Sequence, residues 1–101
     1  MQINVVFRHM ESSQTLRDYA EKKLSKVRAS SEKIIEVEVI YIQEKLDFIV
    51  EFLANYKGHT LKVIERDQNA FAATDLAMDK FNRQLHRIQD RSRNRKHAPS
   101  V

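Results

Sequence analysis

The chain has 101 residues, no cysteine, 42% hydrophobic and 32% charged residues, and a formal net charge of +4. That is one globular domain's worth of chain, and it excludes a disulfide framework, a thiolate nucleophile or a cysteine-ligated metal. The opening MQINVVFRHM lacks the basic-then-apolar layout of a signal peptide, and no apolar run approaches a membrane span, so a cytoplasmic protein is expected.

Gln2 to Arg8 alternates Ile3, Val5 and Phe7 with Asn4, Val6 and Arg8, the period of a strand. Ser13 suits an N-cap, and a helix is expected from Gln14 to Arg28 with Leu16, Ala20, Leu24 and Val27 as its buried stripe. Tyr19, Lys22, Lys23 and Lys26 line one flank of that stripe; Arg17 and Arg28 line the other. After a polar connection, Ala29 to Lys33, the β-branched run Ile34 to Gln43 predicts a strand, turning at Glu44 and Lys45. Asp47 to Asn55 predicts the next strand, with Phe48, Val50, Phe52 and Ala54 on one face. Gly58, the single glycine, marks a turn that needs positive φ, and His59 to Glu65 predicts the last strand.

The segment Asn69 to Lys96 contains neither Gly nor Pro. Phe71, Thr74, Met78, Phe81, Leu85 and Ile88 recur at steps of three and four, which places them on one stripe of a helix capped by Asp67 or Asn69. Lys80, Arg83, Arg87 and Arg91 follow the same steps and fall roughly opposite. From Lys80 to His97 seven Lys/Arg stand against Asp90 alone, a local +6, so residues 1–79 carry −2. A solvated helix face ordinarily mixes signs; this one points to a polyanion.

These elements predict an α+β domain of order β-α-β-β-β-α: a four-stranded sheet with both helices packed on one face, as in double-stranded-RNA-binding domains. The domain spans 1–91, and 92–101 forms a basic, flexible tail. The expected core holds Ile3, Val5, Phe7, Leu16, Ala20, Leu24, Val37, Val39, Tyr41, Val50, Phe52, Leu61, Val63, Phe71, Met78, Phe81 and Leu85. The opposite sheet face carries Ile40, Ile42, Ile49, Leu53 and Ile64 among Glu36, Glu38, Glu51 and Lys62. That face is either scattered surface apolar residues or a patch for a partner.

Chemistry for catalysis is missing. One glycine cannot build a phosphate loop, and Ser12, Ser13 and His9 lack a positioned base and orienter. His86 and Asp90 share a helix face, but such a pair is more often surface decoration than metal ligation. The expectation is therefore no enzyme and no cofactor. Two helices bearing Lys and Arg instead suit RNA phosphates, read by position and shape.

QINVVFRHMESSQTLRDYAEKKLSKV and AFAATDLAMDKFNRQLHRIQ are similar to the first strand and helix and to the last helix of bacterial ribosome hibernation-promoting factors, the family that includes protein Y. The matching positions are Arg17, Lys23 and Lys26, then Phe71, Ala72, Ala73, Asp75, Asp79, Lys80, Arg83, Gln84 and Leu85. The chain departs from the family at Asn69-Ala70-Phe71, where Asp-Met-Tyr is usual, at Thr74, usually aliphatic, and at Arg28 to Ser31, which lacks the usual acidic and aromatic residues.

The resemblance implies binding to small-subunit rRNA between head and body, over the messenger and transfer RNA sites, silencing translation under stress or in stationary phase. It implies RNA-binding roles for Arg17, Lys23, Lys26, Lys80, Arg83 and Gln84, and the cationic helix faces read above add Lys22, Arg87 and Arg91. The chain ends too soon for the dimerisation domain of the long members, and its basic end lacks the acidic tail of the inhibitor type. It therefore resembles the short form, a monomer when free whose ribosome pairing depends on a separate modulation factor. Two other readings stay open: a generic structured-RNA-binding domain with another target, and a protein-interaction module using Ile40, Ile49 and Leu53.

Overall fold

The structure, a computed structural model, describes residues 2–27, 34, 36–56 and 58–97, with side chains as far as residue 89. Arg28 and the connection Ala29 to Lys33 lie outside the described residues, as does the end of the expected tail, 98–101. The elements run β1 (Gln2–Arg8), α1 (Gln14–Val27), β2 (Glu36–Glu44), β3 (Asp47–Tyr56), β4 (His59–Asp67) and α2 (Ala70–His97). The helical backbone of α2 thus continues past Arg91 into the segment expected as tail.

Local chemistry accounts for the boundaries. Ser13 caps α1, its Oγ accepting from the Leu16 amide at 3.2 Å. Asn69 caps α2, its Oδ1 accepting from the amides of Phe71 and Ala72, while Asp67 Oδ1 accepts from the Asn69 amide. The β2–β3 hairpin turns at Lys45 and Leu46, one residue later than expected, with Glu44 still paired to Asp47. Lys45 takes φ 58°, a conformation that costs a non-glycine residue roughly 1–2 kcal/mol. Gly58, at φ 80°, takes the positive φ expected of it.

The sheet order is β1-β2-β3-β4, with β1 parallel to β2 and the other pairs antiparallel. Register sets Val5, Val39, Phe52 and Val63 in one row across the inner face, and all four are buried. Leu16, Ala20, Leu24 and Val27 of α1 close over this face as expected, and α2 lies over β3 and β4. Phe81, with no exposed surface, meets Phe52 edge-on at 5.9 Å. The Tyr41 ring stacks on Phe7 at 5.6 Å. Thr74 donates to the Ala70 carbonyl, so the buried Tyr41 hydroxyl, 2.7 Å away, donates to Thr74 Oγ1.

Three core expectations need correcting. Phe71 is 37% exposed; the inner stripe of α2 runs through Ala70, Ala73, Thr74, Ala77, Met78, Phe81 and Leu85 instead. Alanines make that contact because small side chains let the helix approach the sheet. Ile3 and Phe7 are half-buried, since β1 is an edge strand. Ile40 does face away from the helices, yet it is only 4% exposed, because its cross-strand neighbours Val6 and Glu51 flank it on both sides.

Phe81→Ala should destabilise by roughly 3–5 kcal/mol in urea denaturation, the cost of an aromatic-sized cavity. Ile49→Ala, on the half-open outer face, should cost much less; equal costs would invert the face assignment. Thr74→Val should cost about 1–3 kcal/mol by stranding the buried Tyr41 hydroxyl, and Tyr41→Phe less, because Thr74 keeps its bond to Ala70. The two substitutions together should cost less than the sum of the singles.

Candidate nucleic-acid interface

Once each helix has spent one stripe on the core, its remaining surface faces solvent. α1 and α2 lie beside each other, and the groove between them, about 490 Å³, is lined by Lys23, Lys26 and Val27 from α1 and by Asp75, Met78, Asp79, Asn82 and His86 from α2. Asn82, Arg83, His86 and Arg87 line an adjoining hollow of about 380 Å³. Arg83 and Arg87 are therefore carried to the rim of the groove that Lys26 borders from the other helix.

The expected RNA-binding residues divide by what already holds them. Lys22, Lys26 and Arg87 are exposed and form no ion pair among the described residues. Arg83 is exposed too, with Nε donating to the Asp79 carbonyl at 3.4 Å, which leaves its terminal nitrogens outward. Arg17 is committed on one side: Nη1 donates to the Val5 carbonyl at 3.1 Å and the guanidinium lies over the Phe7 ring. Lys80 pairs with Glu65 at 2.6 Å, and Gln84 Nε2 donates to the Lys62 carbonyl at 3.4 Å, so both tie α2 to β4. Arg91 lies on the α2 backbone, but its side chain is outside the described residues.

Lys23 belongs to a small network. Tyr19 donates its hydroxyl to Asp75 Oδ1 at 2.6 Å, Lys23 Nζ stands 3.5 Å from the same oxygen, and the ammonium sits 5.3 Å from the Tyr19 ring centre. The Tyr19 ring also meets Phe71 edge-on at 5.0 Å. This network joins α1 to α2 at the head of the groove. The Asp75 hydrogen bond pushes the Tyr19 phenol above its ordinary pKa, and the Asp75 charge raises that of Lys23. An Asp so placed fixes Lys23 at the cost of part of its positive potential. Asn82 is not among the expected site residues, and His86 is singled out only with Asp90 as a metal-ligand pair; their places four and eight residues after Met78, beside the apolar stripe, are the signal.

The opposite sheet face differs in sign. Glu36, Glu38 and Glu51 carry no ion pair among the described residues, whereas Arg66 is held between Glu44 and Asp47. Its exposed apolar residues are split: Val6, 38% exposed, and Ile64, 50% exposed, sit on the two edge strands with buried Ile40 and Glu51 between them. The molecule is thus basic on its helical side, while the other side sets its glutamates among half-buried Ile42, Ile49 and Leu53. Among the described residues no cluster suits a metal ion, and no helix is long and apolar enough to cross a membrane.

Comparisons with known proteins agree with this geometry. A family model described as Sigma 54 modulation protein / S30EA ribosomal protein matches residues 3–93. The chain is 35% identical over 91 residues to a ribosome hibernation promoting factor from Pseudomonas putida, covering 90% of this chain and 89% of that one. It is 33% identical to one from Azotobacter vinelandii, with coverage of 84% and 79%. Among solved structures it resembles a ribosomal subunit interface protein from Coxiella burnetii, with TM-score 0.84, 26% identity and coverage of 89% and 99%. It also resembles the N-terminal domain of Thermus thermophilus protein Y, with TM-score 0.80, 27% identity and coverage of 87% and 99%.

The Tyr19–Asp75 bond can be read directly. In Asp75→Ala the Tyr19 ring resonances should titrate at lower pH than in the parent, back toward the ordinary value of about 10. A raised pKa also gives the sign for stability: the contribution of this bond is complete below pH about 10 and fades as pH climbs through the raised value. An unchanged Tyr19 titration in Asp75→Ala would mean that the helices are not joined there.

Proposed function

The chain belongs to the Sigma 54 modulation protein / S30EA ribosomal protein family, and on that premise we propose that it is a ribosome hibernation factor that silences translation by seating its helical layer on small-subunit rRNA. The observation that carries this reading is the segregation of charge: exposed Lys22, Lys26, Arg83 and Arg87 gather on the helix side, and Glu36, Glu38 and Glu51, without ion pairs among the described residues, gather on the other.

Phosphate contact needs cations that are exposed and poorly neutralised, and a rigid body that holds them at fixed separations. Lys26 meets the first need from α1, Arg83 and Arg87 meet it from α2, and the shared core supplies the second. Lys80 and Gln84 act mainly by fixing α2 to the β4 edge, with Lys80 still half exposed beside Glu65. Arg17 and Lys23 add donors already oriented by Val5 and Asp75. Arg91 continues the row one turn beyond Arg87. Bound in the channel between head and body, a domain of this size excludes messenger and transfer RNA by volume, so no covalent step and no cofactor is required. The free protein is a monomer acting in the cytoplasm, and pairing of idle ribosomes falls to a separate modulation factor.

The test reverses three exposed cations, Lys26→Glu, Arg83→Glu and Arg87→Glu, and measures co-sedimentation with purified small subunits beside a thermal melt. The melt should stay within a few degrees, since exposed charges contribute little to stability. Parent binding should weaken log-linearly with salt, with a slope of roughly 3–4 for four neutralised phosphates. The variant should bind weaker by orders of magnitude at physiological salt and lose its inhibition of translation. Glu36→Lys with Glu38→Lys and Glu51→Lys should not weaken binding comparably. A folded triple reversal that binds like the parent would sink the proposal.

A further inference from the structure

Both helices begin at the same end of the sheet, beside the tip of the β2–β3 hairpin. An open cavity of about 650 Å³ lies there, floored by Met10, Leu16 and Phe48 and bordered by Phe71, Gln43 and Gln68. We infer that this cavity is a subsite for a single unstacked nucleobase of the bound RNA, with Phe71 as the stacking surface. The inference rests on the RNA-binding reading above and deepens it.

Four observations converge on a base as the occupant. Phe71 is a large aromatic, and it is 37% exposed at the mouth of the cavity. Its contact with Tyr19 is T-shaped and covers at most one face of the Phe71 ring, which leaves the other face for stacking. The floor is apolar, while the side-chain amides of Gln43 and Gln68 make no hydrogen bond among the described residues and supply both donors and acceptors. That pairing of an apolar seat with a few polar groups suits a heteroaromatic ring with a hydrogen-bonding edge, and the volume is of the order of small-ligand sites, roughly 300–1,000 Å³.

Electrostatics points the same way. A phosphate would seek helix amides here, but those of Leu16, Phe71 and Ala72 are already taken by Ser13 and Asn69, and Glu11 lines the rim. With those amides capped and Glu11 beside them, the cavity offers a phosphate few free donors and suits a neutral ring better. From Phe71 a continuous series of contacts leads through Tyr19 and Lys23 into the groove between the helices, past which Lys26, Arg83 and Arg87 lie. A strand whose phosphates follow Lys23 and Lys26 is thereby brought past the cavity, and one base turns in.

The test is Phe71→Leu, which keeps an apolar side chain of similar reach against Tyr19 and removes the stacking plane, with Phe71→Trp as the restoring variant. Affinity for purified small subunits is measured across a salt series. Phe71→Leu should lose roughly five- to a hundredfold, as expected for one base stacked on one aromatic, while its melt and its salt slope match the parent. Phe71→Trp should bind at least as well as the parent. In parallel, a short oligo(A) RNA should shift the Met10 methyl and Phe71 ring resonances, and an abasic oligomer of equal charge should move only the groove signals. Parent-like affinity in Phe71→Leu, a changed salt slope, or pocket resonances that respond equally to the abasic oligomer would each overturn the subsite while leaving the phosphate-tracking role intact. If the parent itself fails to bind small subunits, the functional reading falls, and the oligomer pair alone decides the cavity.

Discussion

The close seating of α2 on β3 and β4 is the contact on which the rest depends. Ala70, Ala73 and Ala77 put almost no volume between helix and sheet, so Phe81 can reach Phe52 and Leu85 can close the core beyond it. A four-stranded sheet covered on one side has a single interior, and both helices must turn their apolar stripes toward it. What each helix displays outward is then fixed by what remains. In α2 the remainder includes Arg83 and Arg87; in α1 it includes Lys22 and Lys26. The proposed binding face is thus the complement of the core, and the two share the same helical turns.

Much of this was legible in the sequence, and the reasons are local. Leu16, Ala20, Leu24 and Val27 announce a helix stripe because their spacing matches one face whatever surrounds it. Ser13 and Asn69 announce caps because a capping side chain acts within three residues of itself. The rotational phase of α2 was harder. Phe71 and the alanines at 70, 73 and 77 occupy neighbouring arcs of the same helix, and weighting by size favours the aromatic. Only the distance to the sheet, a property of two elements together, selects alanine.

The charged residues show the same division. That Arg83 and Arg87 share one face of α2 could be read from one-dimensional spacing. That Lys80 answers Glu65, Gln84 answers the Lys62 carbonyl and Lys23 answers Asp75 could not, because each partner lies in another element. Ile40 is the mirror case: strand alternation assigned its face correctly, but its burial comes from neighbours on β1 and β3 whose register the pattern alone does not give.

The parallel pairing of β1 with β2 has a consequence for how the chain is made. Each of the other strand pairs is a hairpin whose halves are close in sequence and close a short loop. β1 finds its partner only across α1, with Gln2 opposite Glu36 and Arg8 opposite Ile42. During synthesis β1 appears first yet stays without a ladder until the whole crossover and β2 have followed, so the most distant pairing in the sheet belongs to the oldest segment. Val5, Phe7 and the edge amides of β1 pass that interval uncovered. Assembly of this domain therefore waits on its second half, and the α1–α2 groove comes into being only when the last helix closes over the sheet.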